Sequence, residues 1–195
     1  MTNIAIECGG TIDKFIGDAV MVFFGDPETE GEAEDAMRGV QMAVRMQERI
    51  QELQSYWKKN GVPNGLKVRM GIATGYCTVG NFGSDQRLDY TVLGSPVNLA
   101  ARLQGLAEPT RILLDQSTHT LVEKHVKAAA KGEFTPKGFS RPVSYYEFSD
   151  FINSDDRYSG KNWSHLGSHV EVNIFDSSDI RGAIQELREI QIRFE

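Results

Sequence analysis

The stretch TIDKFIGDAVMVFFG, residues 11–25, sets Lys14 and Asp18 four positions apart around Gly17. A hairpin that could bury its apolar runs cleanly instead carries a cation and a carboxylate near its tip. A second stretch, DYTVLGSPVNLAARL at 89–103, holds Asn98 and Arg102 at a spacing that projects both from one face of a helix. Their neighbours Val97, Leu99, Ala100 and Leu103 are apolar or small, so such a helix packs closely and its arginine needs a partner. A third, GYCTVGNFG at 75–83, has too many glycines for a plain strand and reads as a loop. The chain's acidic balance does not exclude a phosphate ligand for such residues, because a local cluster can be basic on an acidic protein. Taken singly, each stretch has an ordinary explanation: Gly-Asp makes a turn, and Asn-x-x-x-Arg makes a solvated helix face.

These residues need elements to position them. Residues 11–15 and 19–24 read as the strands of a hairpin, with Gly17 free to take the turn's positive φ. Residues 29–61 read as a long helix. Thr29 and Glu32 have capping-box spacing, and Lys58, Lys59 and Gly61 supply a stop. Leu66, Val68, Met70 and Ile72 alternate with polar residues as in a half-buried strand. A strand follows at 88–94, then a helix with Ser95 as N-cap and Pro96 in its first turn. RILLD reads as a strand, QSTHTLVEKHV as a helix and KGFSRPVSYYEF as a segment ending in a strand. Strands and helices alternate, so the expected class is α/β (α+β), helices packed on a sheet. From residue 151 the composition changes. NSDDRYSGKN reads as a linker and HVEVNIF as a strand. The last segment reads as a helix started by Asp176 or Ser177, with Ile180, Ala183, Ile184, Leu187 and Ile190 on one face.

Length and composition bound the answer. A chain of 195 residues suits one domain with an appendage, expected as residues 1–150 and a C-terminal extension at 151–195. A net charge of -6 argues against a general nucleic-acid binder, which would show a basic face. Cys8 and Cys77 lack metal-ligand spacing and read as free thiols in a reducing, cytoplasmic setting. No signal peptide and no membrane span is expected, since no apolar run reaches about 18 residues. The four histidines, His119, His125, His165 and His169, have no ligand spacing and read as surface or packing residues.

Order and local sequence together are more specific than any one stretch. IDKFIGDAVMVFFG, VRMGIATGYCTVGNFG and LDYTVLGSPVNLAARLQ resemble consecutive motifs of the class III adenylate/guanylate cyclase catalytic domain, and PKGFSRPVSYYEF resembles its closing strand. The resemblance covers roughly residues 4–149. It implies a ferredoxin-like core and a homodimer with two equivalent sites between subunits. It also implies conversion of a nucleoside triphosphate to a 3′,5′-cyclic monophosphate and pyrophosphate, assisted by two Mg²⁺ or Mn²⁺ ions per site. By the same match Asp18 is a metal ligand, Lys14 and Thr91 read the purine, Asn98 positions the ribose and Arg102 stabilises charge on the α-phosphate. Lys14 and Asp18 would then serve opposite sites, which explains their coexistence in one hairpin. Lys with Thr is the adenine-reading combination of a bacterial subgroup, so the expected substrate is ATP.

The chain also departs from the family pattern. The family's first metal aspartate lies on an opening strand, further upstream of the hairpin than the seventeen residues before Asp18 allow. The resemblance therefore implies an N-terminally shortened domain, its first strand and the metal aspartate on that strand absent, that sits in a longer protein behind a regulatory domain and is itself weakly active or inactive. Asp13 lies off the metal position and is no substitute. A phosphate-contacting lysine near the last strand has only Arg141 as a counterpart. Two other readings stay open: a guanylate cyclase, and a non-catalytic cyclase-like module that binds nucleotide or regulates a partner.

Overall fold

The computed structural model of the chain describes residues 1–62, 65–84, 86–153, 156–157, 163–166, 171–174 and 180–194. They divide into two compact units, Met1–Ile152 and Asn153–Glu195. In order, the first unit comprises α1 (Thr2–Glu7), β1 (Thr11–Ile16), β2 (Ala19–Phe23), α2 (Glu32–Lys59) and β3 (Met70–Ile72). It continues with β4 (Thr78–Ser84), β5 (Arg87–Leu93), α3 (Ser95–Leu106), β6 (Ile112–Asp115), α4 (Gln116–Val122), β7 (Val126–Phe134) and β8 (Val143–Phe151).

The strand β6, ILLD, is buried along its whole length, as expected of a strand covered on both faces. It pairs parallel with β3 and antiparallel with β8, and β8 pairs antiparallel with β7, so the sheet order is β3-β6-β8-β7. Alternation sends its side chains into two cores. Ile112 and Leu114 meet Met37, Val40 and Val44 of α2 and Val122 of α4. Leu113 meets Leu99 and Leu103 of α3. This is an α/β domain with helices packed on a sheet, the class expected from the alternation of elements.

Two hairpins stand beside this sheet. β1 pairs with β2 around Gly17, whose φ is 63°, and β4 pairs with β5. The glycine-rich segment expected as a loop is therefore a strand. Gly83 explains how: its φ is 145°, and a Cβ there would lie 2.0 Å from the Arg87 carbonyl oxygen. Gly83 fits the hairpin's close approach, and neither it nor Gly80 interrupts the pairing.

Other boundaries differ for local reasons. The capping box does not form. The N-cap of α2 is Gly31, and Thr29 instead accepts from the Gly31 N–H (3.0 Å) and donates to Asp35 Oδ2 (2.5 Å). Gly94, not Ser95, is the N-cap of α3, so Pro96 stands second in the helix. The expected strand at 66–72 shortens to β3, and Leu66 is exposed. Its backbone is held from α2 instead: Gln54 and Gln47 side-chain amides donate to the Leu66 and Val68 carbonyls, each at 2.8 Å. Strand β7 was not expected, because VKAAAKGEF is rich in alanine and lysine, poor strand formers. Pairing along β8 overrides that preference.

In the second unit β9 (Trp163–Leu166) pairs antiparallel with β10 (Glu171–Ile174), and α5 spans Ile180–Phe194. The expected strand at 169–175 is thus β10, and its partner β9 lay unread in the sequence. On α5, Leu187 is half-buried while Ile184 and Ile190 are exposed. Asp176 and Ser177, the expected start of this helix, lie outside the described residues, as does much of the linker.

The placement of α3 depends on one glycine. A Cβ on Gly71 of β3 would lie 2.3 Å from the Ala100 carbonyl oxygen and 2.4 Å from the Gln104 nitrogen, both backbone atoms of α3. Gly71→Ala must therefore push helix from strand, and overpacking of this kind costs about 1–3 kcal/mol. Urea unfolding should show that loss with an unchanged m-value; an unaltered midpoint would contradict the close approach.

Candidate active site

A regular strand points adjacent side chains to opposite faces. Strand β1 breaks that rule where it matters. Ile12 pairs with Val22 but Lys14 pairs with Met21, so Asp13 is the extra residue of a β-bulge. Bulges re-aim side chains. Here Asp13 and Lys14, neighbours in sequence, both reach Thr91 of β5.

The three groups form a compact triangle. The Thr91 hydroxyl donates to Asp13 Oδ2 at 2.8 Å, and the Lys14 ammonium donates to Thr91 Oγ1 at 3.1 Å. Lys14 Nζ also lies 3.5 Å from Asp13 Oδ1. The Asp13 side chain is 1% exposed and that of Lys14 46%, so the carboxylate is sealed in while the ammonium faces outward. Thr91 is buried. Asp13 Oδ1 accepts no hydrogen bond, which leaves the nearby ammonium as its charge partner. Lys14 thus turns to Asp13 and Thr91 although Asp18 is close in sequence.

Two further polar contacts tie the hairpins together. Tyr90 Oη donates to the Asp26 carboxylate, and Thr11 Oγ1 donates to the Asp26 carbonyl at 2.7 Å. The hydrogen bond to Asp26 holds the Tyr90 hydroxyl above the usual phenol range.

The remaining candidates lie on open surface. Asn98 and Arg102 are exposed on one side of α3, while Leu99 and Leu103 bury the other. Asp18 is exposed in the turn after β1, and Arg141 is exposed ahead of β8. Lys14 and Thr91 are therefore brought together, Asn98 and Arg102 share a helix face, and Asp18 and Arg141 join neither pair by a direct contact. Among the described residues no three His, Cys, Asp or Glu side chains gather as a metal site. Both cysteines are free, Cys8 buried and Cys77 exposed. His119 stacks on Tyr146 at 3.9 Å between ring centroids, a packing role.

Residues 11–149, which hold all of these groups except Cys8, match the family described as the adenylate and guanylate cyclase catalytic domain. The chain belongs to that family. Among curated relatives, Adenylate cyclase 1 of Rhizobium meliloti is 33% identical over 141 residues, covering 71% of this chain and 21% of that protein. The adenylate cyclase of Anabaena cylindrica is 33% identical over 144 residues, covering 65% of this chain and 27% of that protein. The chain thus spans about a quarter of the length of these curated relatives. Among solved structures, the adenylyl cyclase CyaB from P. aeruginosa is 48% identical with a TM-score of 0.74, covering 76% of each chain. The guanylyl cyclase Cya2 is 30% identical with a TM-score of 0.72, covering 82% of this chain and 78% of that one. Nucleotide cyclase domains of both purine types share this fold, so purine choice must rest on individual residues of this cyclase domain.

Asp13 is the member of this triangle that sequence reasoning set aside. An aspartate next to a lysine in a strand should face the other way, and nothing in IDKFIG announces the bulge. Its burial makes the triangle a structural asset as well. Thr91→Val keeps the shape but removes the donor that satisfies a buried carboxylate. That should cost about 1–3 kcal/mol in denaturant unfolding; wild-type stability would contradict the sealed hydrogen bond.

Proposed function

We propose that the domain is an adenylate cyclase catalytic domain, converting ATP to 3′,5′-cyclic AMP and pyrophosphate. The observation that carries the purine choice is the 3.1 Å contact between Lys14 Nζ and Thr91 Oγ1. Adenine presents a ring-nitrogen acceptor beside an exocyclic amine donor. An ammonium with protons to spare suits the first, and a hydroxyl oxygen suits the second. Guanine presents a ring N–H and a carbonyl at those places, which this pair matches poorly. The 48% identity to an adenylyl cyclase supports the same reading.

In the reaction, the 3′-hydroxyl oxygen bonds to the α-phosphorus and the bond to the pyrophosphate oxygen breaks. The hydroxyl proton passes to solvent. Asn98 would orient the ribose, and Arg102, on the same exposed helix face, would stabilise charge on the α-phosphate oxygens. Catalysis by these residues is positioning and electrostatics, with no covalent intermediate. Divalent ions, when bound, would neutralise phosphate charge and favour ionisation of the 3′-hydroxyl. Asp18 offers one exposed carboxylate to such an ion, and the described residues of a single copy do not complete its ligand set.

A homodimer would supply the second face of each site. Its support is that Lys14, Asn98 and Arg102 open to the surface and that Phe15, Ile16 and Leu93, apolar neighbours in the same segments, are more than 45% exposed by fractions of 65%, 58% and 50%. A second copy would bury such residues.

Turnover of the full-length protein with ATP against GTP, in Mg²⁺ and in Mn²⁺, tests the reading; a preference for GTP or binding without turnover would overturn it. Lys14→Glu with Thr91→Cys should lower the ATP/GTP ratio of kcat/KM roughly tenfold or more. An unchanged ratio would remove the two residues from purine reading. Arg102→Ala should depress kcat far more than it raises KM, while leaving stability within about 0.5 kcal/mol because the side chain is exposed. A wild-type rate would make Arg102 a solvated surface residue.

A further inference from the structure

We infer that Asp13 is a specificity-determining residue, which fixes the polarity of the Thr91 hydroxyl so that it accepts from a 6-amino purine and cannot donate to a 6-oxo purine. The inference deepens the adenylate cyclase reading and rests on it. A threonine hydroxyl has one proton and two lone pairs, and it normally rotates to suit its partner. Left free, Thr91 could accept from an adenine amine or donate to a guanine carbonyl and would discriminate weakly. Asp13 removes that freedom. A carboxylate can only accept, so the 2.8 Å contact consumes the single Thr91 proton. The 3.1 Å contact from Lys14 occupies one lone pair. What remains for a ligand is one lone pair.

The same carboxylate orients the lysine. Lys14 has three protons. One is directed to Thr91, and Asp13 Oδ1 at 3.5 Å attracts a second, which leaves a proton for a ring-nitrogen acceptor. The β-bulge makes this possible by placing Asp13 and Lys14 on the same side of β1. Burial makes it rigid, because a carboxylate with 1% exposure cannot exchange its threonine partner for water. There is also room beside the threonine. Gly80 stands directly opposite Thr91 across the β4–β5 ladder, and a Cβ on it would meet nothing within 4 Å. Residues opposite one another in a ladder share a face, so no side chain at position 80 crowds Thr91.

The test is Asp13→Asn, which keeps shape and size. Its amide should turn the oxygen to the Lys14 ammonium and the NH₂ to Thr91. Thr91 then accepts from the amide, and its proton becomes free to donate to a guanine carbonyl. In the full-length protein, kcat/KM is measured for ATP, GTP and purine riboside triphosphate, which lacks the 6-amino group. The ATP/GTP ratio should fall roughly tenfold, with GTP use rising and the 6-unsubstituted analogue changing least. Equal losses for all three nucleotides would make Asp13 merely structural and overturn the inference. So would an unchanged ATP/GTP ratio in Asp13→Asn alongside a lowered ratio in the Lys14→Glu, Thr91→Cys double variant; the adenine-reading pair would then stand without Asp13. An unchanged ratio in both would overturn the pair and the inference together. Should Asp13→Asn lose turnover altogether, the same ratio is read from equilibrium binding of 3′-deoxy-ATP and 3′-deoxy-GTP. A wild-type binding preference there counts against the inference and a reduced one supports it.

Discussion

A carboxylate closed off from water must be met by donors, and in this domain the Asp13 carboxylate is met by Thr91 and Lys14. The contact joins two hairpins that share no backbone ladder with each other. It fixes where β5 runs past β1. Strand β5 leads through Gly94 directly into α3, so the helix bearing Asn98 and Arg102 starts from a strand held at Thr91. At its other side α3 is held by Gly71, which lets helix and strand backbones approach without a side chain between them. Thr91, Asn98 and Arg102 are thus carried on one continuous segment, and Lys14 is brought to it from β1. That segment is anchored at one end by the hydrogen bond from Thr91 to the buried Asp13 carboxylate and along its length by the sheet.

The arrangement also explains why a hairpin tip can carry both Lys14 and Asp18. Opposite charges close together usually neutralise each other at short range. Here the lysine is engaged by Asp13 and Thr91, and Asp18 stays exposed in the turn. Asp13 therefore leaves Asp18 free for another positive partner. Under the dimeric reading that partner is a divalent ion at the neighbouring site. The burial of Asp13 among the domain's own residues and the exposure of Asn98, Arg102 and Asp18 divide the work in a physically sensible way. The orienting group is sealed, and the groups that would touch the nucleotide are open.

Much of this was legible in the sequence, and the misses have identifiable causes. The β1–β2 hairpin was readable because two apolar runs flank a glycine, and α2 because its apolar residues recur at helical spacing over seven turns or so. β6 was readable as a short apolar run. β7 was not, because alanine and lysine carry no strand signal and only pairing with β8 makes the strand. β4 looked like a loop because of its glycines, of which Gly83 serves a close contact inside the hairpin, a long-range requirement that local propensity does not contain. The proposed site residues Lys14, Thr91, Asn98 and Arg102 were assigned by motif order rather than by periodicity. Asp13 was considered only as a metal ligand and set aside as lying off the metal position; its contact with Thr91 depends on a bulge, which cannot be read from one strand alone.

The central claim is that Thr91, its proton committed to Asp13, meets the amine edge of adenine while Lys14 meets the ring nitrogen. The most direct measurement is a crystal structure of the protein with 3′-deoxy-ATP, which cannot cyclise. The account predicts the adenine amine within about 3 Å of Thr91 Oγ1 and the ring acceptor at a similar distance from Lys14 Nζ, with the Thr91–Asp13 hydrogen bond intact. An adenine bound away from this pair, or a Thr91 hydroxyl turned from Asp13 to the base, would contradict it.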